Sequence, residues 1–234
     1  MKNTDKAILL NRISYSESSL ILTYYTFENG IQKFIFQGGK KKAHQLFPLA
    51  ISEITYYKRP DSDLGKLTSS ESKRILNELP FHPIKSTIAF FIADVLLKCL
   101  KTEESESYLF EFLENVIVEL DKTEDLSSFP IDFLLSFSQH LGINPNKLDE
   151  VCLYFNLMEG TLGNVKPIGD IFHEGEPIQL ISEIMNHSDI SIELFNSKKN
   201  RDEALQILIQ YYQLHVPQFK NLKTLDVIRE ILYT

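Results

Sequence analysis

Ser19-Leu20-Ile21-Leu22-Thr23-Tyr24-Tyr25-Thr26-Phe27-Glu28-Asn29-Gly30-Ile31-Gln32-Lys33-Phe34-Ile35-Phe36-Gln37 reads as two strands around a tight turn. The runs Ser19 to Phe27 and Ile31 to Gln37 are rich in β-branched and aromatic residues. Between them Asn29 and Gly30 tolerate the positive φ that a short hairpin demands. The same texture extends outward to Lys6 to Ile13, Pro48 to Lys58 and a short run from Gly65 to Ser69. Five strands in about 70 residues match the size of an OB-type barrel, with an SH3-like barrel as the alternative.

After Pro80 and Pro83 the apolar spacing changes to a helical period. Ile84, Ile88, Phe91, Val95 and Leu96 share one stripe of a helix whose wide apolar flanks predict burial on most sides. Tyr108 to Leu120 and Ile131 to Leu141 follow, the latter closed by Gly142 as a C′ residue. A helix opened by Pro177 and two more, Arg201 to Leu214 and Lys223 to Tyr233, complete the set. Four of the nine glycines fall between Asn156 and Glu176, which predicts a hairpin-like insertion near 153–176. The expectation is an α+β chain, with a five-stranded OB-fold barrel over 1–80 and an all-α helical domain over 81–234.

Residues 1–80 carry 12 Lys+Arg against 8 Asp+Glu, a net +4, while residues 81–234 carry 12 against 24, a net −12. That asymmetry points to an anion-binding half joined to a half with another task. Two cysteines, Cys99 and Cys152, exclude a disulfide framework and a cysteine-only zinc site. With no signal-peptide pattern at Met1 to Asp5, and with Lys85, Asp94 and Lys98 interrupting the most apolar stretch, the expected location is the cytoplasm.

Motifs for bond-breaking chemistry are missing. His44, His82, His140, His173, His187 and His215 are scattered singly, and no nucleophile elbow occurs. Glu103, Glu104 and Glu106 read as a solvated face. Gly38-Gly39-Lys40-Lys41-Lys42 stands out at the end of a predicted strand. It is no Walker loop, since Ala43 stands where the metal-binding hydroxyl belongs. It is a flexible turn that can present three cations to a phosphate backbone, or a solvated loop. Lys33, Arg12, Lys58, Arg59, Lys73 and Arg74 could extend a groove. The alternation leaves open whether Phe34 and Phe36 face that groove as stacking rings or fill the barrel.

Tyr15-Ser16-Glu17-Ser18-Ser19-Leu20-Ile21-Leu22, then Tyr25-Thr26, Gly30 and Gly38-Gly39-Lys40-Lys41, resembles the N-terminal signature of the bacterial recombination mediator family RecO. Leu222-Lys223-Thr224 with Arg229 is similar to that family's C-terminal helix. The resemblance implies a DNA repair and recombination accessory protein that is not an enzyme. It implies an OB-fold domain binding single- and double-stranded DNA, annealing of complementary strands, and help in loading the RecA recombinase together with RecR onto DNA coated with single-strand-binding protein (SSB). DNA-binding residues implied are Lys33, Gly38, Gly39, Lys40, Lys41 and Lys42, with Arg12, Lys58 and Arg59 beside them. The acidic tail of SSB is assigned to the basic final helices around Lys198, Lys199, Arg201, Lys220 and Lys223. No cofactor is expected, and RecR, SSB and DNA are the expected partners. Two departures from the family are visible. The four-cysteine zinc module of many relatives is reduced to Cys152 between Val151 and Pro167, leaving Leu153, Phe155 and Leu157 to hold the hairpin, and Gln37 replaces a basic residue before the loop. The competing expectation is a protein-interaction adaptor whose barrel lysines meet an acidic protein; a nucleic-acid-cleaving enzyme ranks below both.

Overall fold

A computed structural model of the chain describes residues 2–59, 61–100, 106–149, 151–169, 171–186 and 197–233. Five strands, β1 (Lys2–Ser14), β2 (Leu20–Thr26), β3 (Gly30–Phe36), β4 (Ile51–Tyr57) and β5 (Leu64–Ser72), close into a barrel of order β1-β2-β3-β5-β4. All neighbours are antiparallel except β3 and β5. This is the OB order, and closure removes the sheet edges that would otherwise invite pairing.

Ala7, Leu9, Leu20, Leu22, Tyr24, Phe34, Phe36, Ile54, Tyr56 and Leu67 fill the barrel. Phe34 and Phe36 therefore sit inside, and the period of two turns Lys33 and Ile35 outward. The expected hairpin joins β2 to β3, with Gly30 at φ 62°. Asp5 holds the turn by accepting from the Glu28 N–H at 3.2 Å and the Asn29 amide at 3.4 Å. Burial pushes the Asp5 carboxyl up, against those two donors.

A bulge decides which residues reach the barrel mouth. Leu9 pairs with Tyr24 but Asn11 pairs with Thr23, so Leu10 is the extra residue and the parity of β1 reverses. Beyond it Arg12 pairs with Leu22 and Ser14 with Leu20, on the core side, while Ile13 pairs outward with Ile21.

Two helices, α1 (Pro83–Cys99) and α2 (Ser107–Lys122), belong to the same compact unit as the barrel, Met1–Thr123. Phe110 of α2 stacks on Tyr25 at 6.0 Å and meets Phe27 edge-on at 5.4 Å, covering that part of the outer sheet. The segment leaving the barrel is clamped by charge. Asp121 accepts from the N–H groups of Asn77, Glu78 and Leu79 at 3.0, 2.9 and 2.8 Å. Lys85, only 2% exposed, donates to Glu78 at 2.5 Å and to the Asp121 carbonyl at 2.8 Å. The change of period at residue 80 marks where strands give way to helices; the compact units divide later, at 123/124.

The second unit, Glu124–Thr234, contains α3 (Phe129–His140), α4 (Glu176–Asn186), α5 (Lys198–His215) and α6 (Leu225–Tyr233) among its described residues. The expected glycine-rich hairpin is a four-stranded sheet in the order β6-β8-β7-β9, from β6 (Asn146–Lys147), β7 (Tyr154–Asn156), β8 (Thr161–Gly163) and β9 (Phe172–Glu174). Phe155, Leu157 and Leu162 bury its inner face, with Tyr211 of α5 at 5.1 Å from Phe155. Leu153, expected among these supports, is exposed: it lies just before β7 begins at Tyr154, and Leu162 of β8 takes the buried place beside Phe155 and Leu157. Among the described residues no helix is long and apolar enough to cross a membrane.

Candidate nucleic-acid interface

The three lysines do not lie on a flexible loop. Gly39–Gln45 winds into a 3₁₀ segment, entered through Gly38 at φ 71°. A side chain at that φ costs about 1–2 kcal/mol, which accounts for glycine there. Gly39 is needed for a different reason: a Cβ would come within 2.8 Å of the Phe36 ring, so the segment lies directly on the barrel's end. The Lys40 N–H donates to the Ser18 carbonyl at 3.2 Å, joining the segment to the β1–β2 loop.

Arg12 fixes the other end. Carried to the core side by the bulge, its Nη1 donates to the carbonyls of Ala43 at 2.6 Å and Leu46 at 2.8 Å. The Ala43 carbonyl also accepts from the Leu46 N–H at 3.2 Å, so Arg12 adds a second donor there and bridges it to the Leu46 carbonyl at the segment's C-terminal end. Arg12, expected as a phosphate ligand, stays exposed and spends its Nη1 on these two carbonyls.

Lys40, Lys41 and Lys42 are exposed, and among the described residues no carboxylate forms an ion pair with any of them. Lys42 Nζ lies 5.9 Å from the Phe36 ring centroid, a cation–π contact at the barrel mouth.

A second group of cations lies at the opposite end of the strands. Cross-strand register sets an outward row Ile13, Ile21, Ile35, Lys66, Tyr57, Lys2, with a neighbouring row Thr23, Lys33, Leu64. Arg59 is exposed; Lys58 is half-buried and donates to the Gln32 carboxamide oxygen. Lys58 and Arg59 form the ridge between two clefts. One, of about 430 Å³, is lined by Asn3, Glu28, Asn29, Gln32 and Tyr56. The other, of about 470 Å³, is lined by Ile35, Tyr57, Ser62, Leu64, Gly65 and Lys66. Lys66 and Lys2 escaped the sequence reading; their place beside Tyr57 follows from register, which composition does not carry. Lys73, by contrast, is paired with Glu53 at 3.2 Å.

The residues assigned to a tail-binding surface separate. Lys198, Lys199, Lys220 and Lys223 are exposed, and Lys199 reaches Glu203 at 3.8 Å. Arg201 is 7% exposed with its guanidinium 5.8 Å over the Tyr233 ring. It belongs to the core of its unit rather than to a docking face, since the helical stripe that buries Ala204, Leu205 and Leu208 includes it. Arg229 makes a two-point pair with Asp202 at 2.6 and 2.9 Å, which raises its own pKa by that hydrogen bond.

Three of the described histidines have structural partners. His82 accepts from the Lys85 N–H at the start of α1, His173 pairs with Gln210 and His215 with the Leu157 carbonyl. His187, Glu103 and Glu104 lie outside the described residues. A four-thiolate zinc module does not fit here. Cys152 is the one thiol of its region, fully buried, with Sγ 3.4 Å from the Asp149 carbonyl. Among the described residues no group of three His, Cys, Asp or Glu side chains is placed to hold a metal ion.

The family model described as Recombination protein O N terminal matches residues 1–76, and that described as Recombination protein O C terminal matches residues 81–162. A DNA repair protein RecO of Phocaeicola vulgatus is 34% identical over 233 residues, covering 96% of both chains. One from Bacteroides fragilis is 30% identical with 96% of both chains covered, and one from Christiangramia forsetii 28% identical with 97% covered. With matches at both ends and near-complete coverage, the chain belongs to the RecO family.

Proposed function

We propose that this chain is a DNA repair and recombination mediator that works by holding sugar-phosphate backbones on its barrel. The observation that carries the reading is the segment Lys40–Lys42: three exposed cations, none ion-paired among the described residues, on a 3₁₀ turn held by Gly39 against Phe36 and by Arg12. Such a turn presents charge without the entropy cost of ordering a loop on binding. Contacts to phosphate fix register and carry no sequence information, so both single and double strands are ligands.

Annealing follows from the same electrostatics. Two complementary strands repel, and a cationic surface that holds phosphates while leaving base edges free lowers that barrier with no bond made or broken. In this reading the protein acts in the cytoplasm, with RecR, on DNA carrying SSB, and assists RecA loading. The exposed Lys198, Lys199, Lys220 and Lys223 are the proposed surface for the acidic SSB tail.

The test is annealing of complementary oligonucleotides coated with SSB, followed by fluorescence energy transfer at low salt. The chain is expected to accelerate annealing, and the Lys40→Ala, Lys41→Ala, Lys42→Ala triple variant to lose most of the acceleration. No acceleration by the unaltered chain, together with no binding of either strand in a mobility shift, overturns the proposal and favours the adaptor reading.

A further inference from the structure

Tyr57 is the one aromatic side chain of the five strands that the structure leaves largely exposed, at 47%. Its surroundings are specific. Register places Lys66 of β5 on one side and Lys2 of β1 on the other, both outward with it. Leu64, 41% exposed, and Ile35 form the apolar floor of the adjoining cleft of about 470 Å³, with Lys58 and Arg59 at its rim. Asp61 and Asp63 belong to the same β4–β5 loop, but neither lines that cleft, and no carboxylate does.

Phe110 of α2 covers Tyr25 and Phe27 on the β2 side, whereas Tyr57 on β4 stays exposed. An aromatic ring at the end of a strand, set between lysines over an apolar floor, costs stability only modestly and gains nothing visible from the fold. We infer that Tyr57 is a base-stacking residue, and that the cleft it forms with Leu64, Lys66 and Arg59 takes one unpaired nucleotide, its base on the ring and its phosphate on the cations. The inference rests on the proposed DNA-binding role and refines it: the lysine segment grips any backbone, whereas this cleft requires a base with a free face.

That distinction has a chemical basis. Every base has a π-face, so stacking tolerates sequence, but in a duplex both faces are occupied by neighbours. The cleft therefore discriminates between single and double strands, and the Lys40–Lys42 segment does not.

The experiment uses the full chain with three fluorescein-labelled probes, measured by anisotropy at fixed low salt: a dT oligomer, the same length of abasic strand, and a blunt duplex. Tyr57→Ala is expected to weaken dT binding by about five- to a hundredfold, the range for one base–aromatic stack. Abasic and duplex binding should change by less than about twofold, and Tyr57→Phe should restore dT binding. A thermal melt checks that both variants fold. Equal losses on all three probes, or no loss on dT, overturn the inference while the unaltered chain still binds DNA; failure of the unaltered chain to bind any probe overturns the DNA-binding reading as well.

Discussion

Replacing Lys40, Lys41 and Lys42 together by alanine removes three of seven outward cations that flank or lie on the open barrel face, the others being Lys2, Lys33, Arg59 and Lys66; Lys58 is omitted because Gln32 holds it. Each phosphate neutralised on a single strand contributes about −0.7 to the slope of log affinity against log salt, and on a duplex about −0.9. Seven contacts give a slope near −5 on single strands, and four give about −3. Between about 50 and about 200 mM salt the unaltered chain should then lose about 1,000-fold in affinity and the triple variant only about 60-fold. On a duplex the slope should flatten by about 2.7 units. Stability should not fall, because the three side chains are exposed and no described carboxylate pairs with them. The assay is anisotropy titration at four or more salt concentrations, with Lys198→Ala, Lys199→Ala as the control that leaves the slope unchanged. A triple-variant slope within about half a unit of the unaltered one would refute the reasoning, since it would mean that those ammonium groups meet no phosphate.

Three other outcomes follow from the same structure. Arg12→Ala should leave the barrel folded but speed amide exchange across Lys41–Leu46 and weaken DNA binding several-fold, read by exchange mass spectrometry beside anisotropy; unchanged exchange would show that the segment does not need the Arg12 contacts. Gly39→Ala should cost about 1–3 kcal/mol in urea unfolding, because the new methyl meets Phe36 at 2.8 Å on an end of the core with little room to shift. Asp121→Asn should cost about 2–3 kcal/mol at neutral pH, since three backbone donors and Lys85 lose a charged partner. Burial raises the Asp121 carboxyl, and those donors with Lys85 more than reverse it, so it ends below its ordinary value. A carboxyl depressed in the folded state adds stability above its unfolded pKa and loses it as pH falls through the folded pKa. The gap between the unaltered chain and Asp121→Asn should therefore shrink as unfolding is measured from pH 7 down into the carboxylate range, and a gap independent of pH would refute the clamp.

The barrel was legible because its code is local. The β-branched and aromatic runs in Leu20–Thr26 and Gly30–Phe36, with Asn29 and Gly30 between, state strand and turn without reference to the rest of the chain, whereas the inward face of Phe34 and Phe36 depends on the closed barrel. Gly38 and Gly39 likewise marked the turn that leaves β3, the first at a positive φ and the second pressed against Phe36. What escaped depends on register and contact at a distance. Arg12 comes into register with Leu22 through one extra residue at Leu10, and a bulge leaves no mark in composition. Lys66 and Lys2 gain meaning only beside Tyr57, which requires knowing that β4 lies between β5 and β1. The 3₁₀ segment has no apolar period to betray it, and strands of two or three residues such as β6 to β9 are too short for alternation to register. Arg201 shows the converse failure: charge predicts exposure, yet its long apolar stem and the Tyr233 ring make burial the better place.

Lysine acetylation footprinting of the full chain, read by mass spectrometry with and without a saturating dT oligomer, tests most directly where the polymer lies. The account predicts that Lys33, Lys40, Lys41, Lys42 and Lys66 become protected while Lys147, Lys166 and Lys199 react as before. Protection confined to the second group, with the barrel lysines still fully reactive, would contradict it.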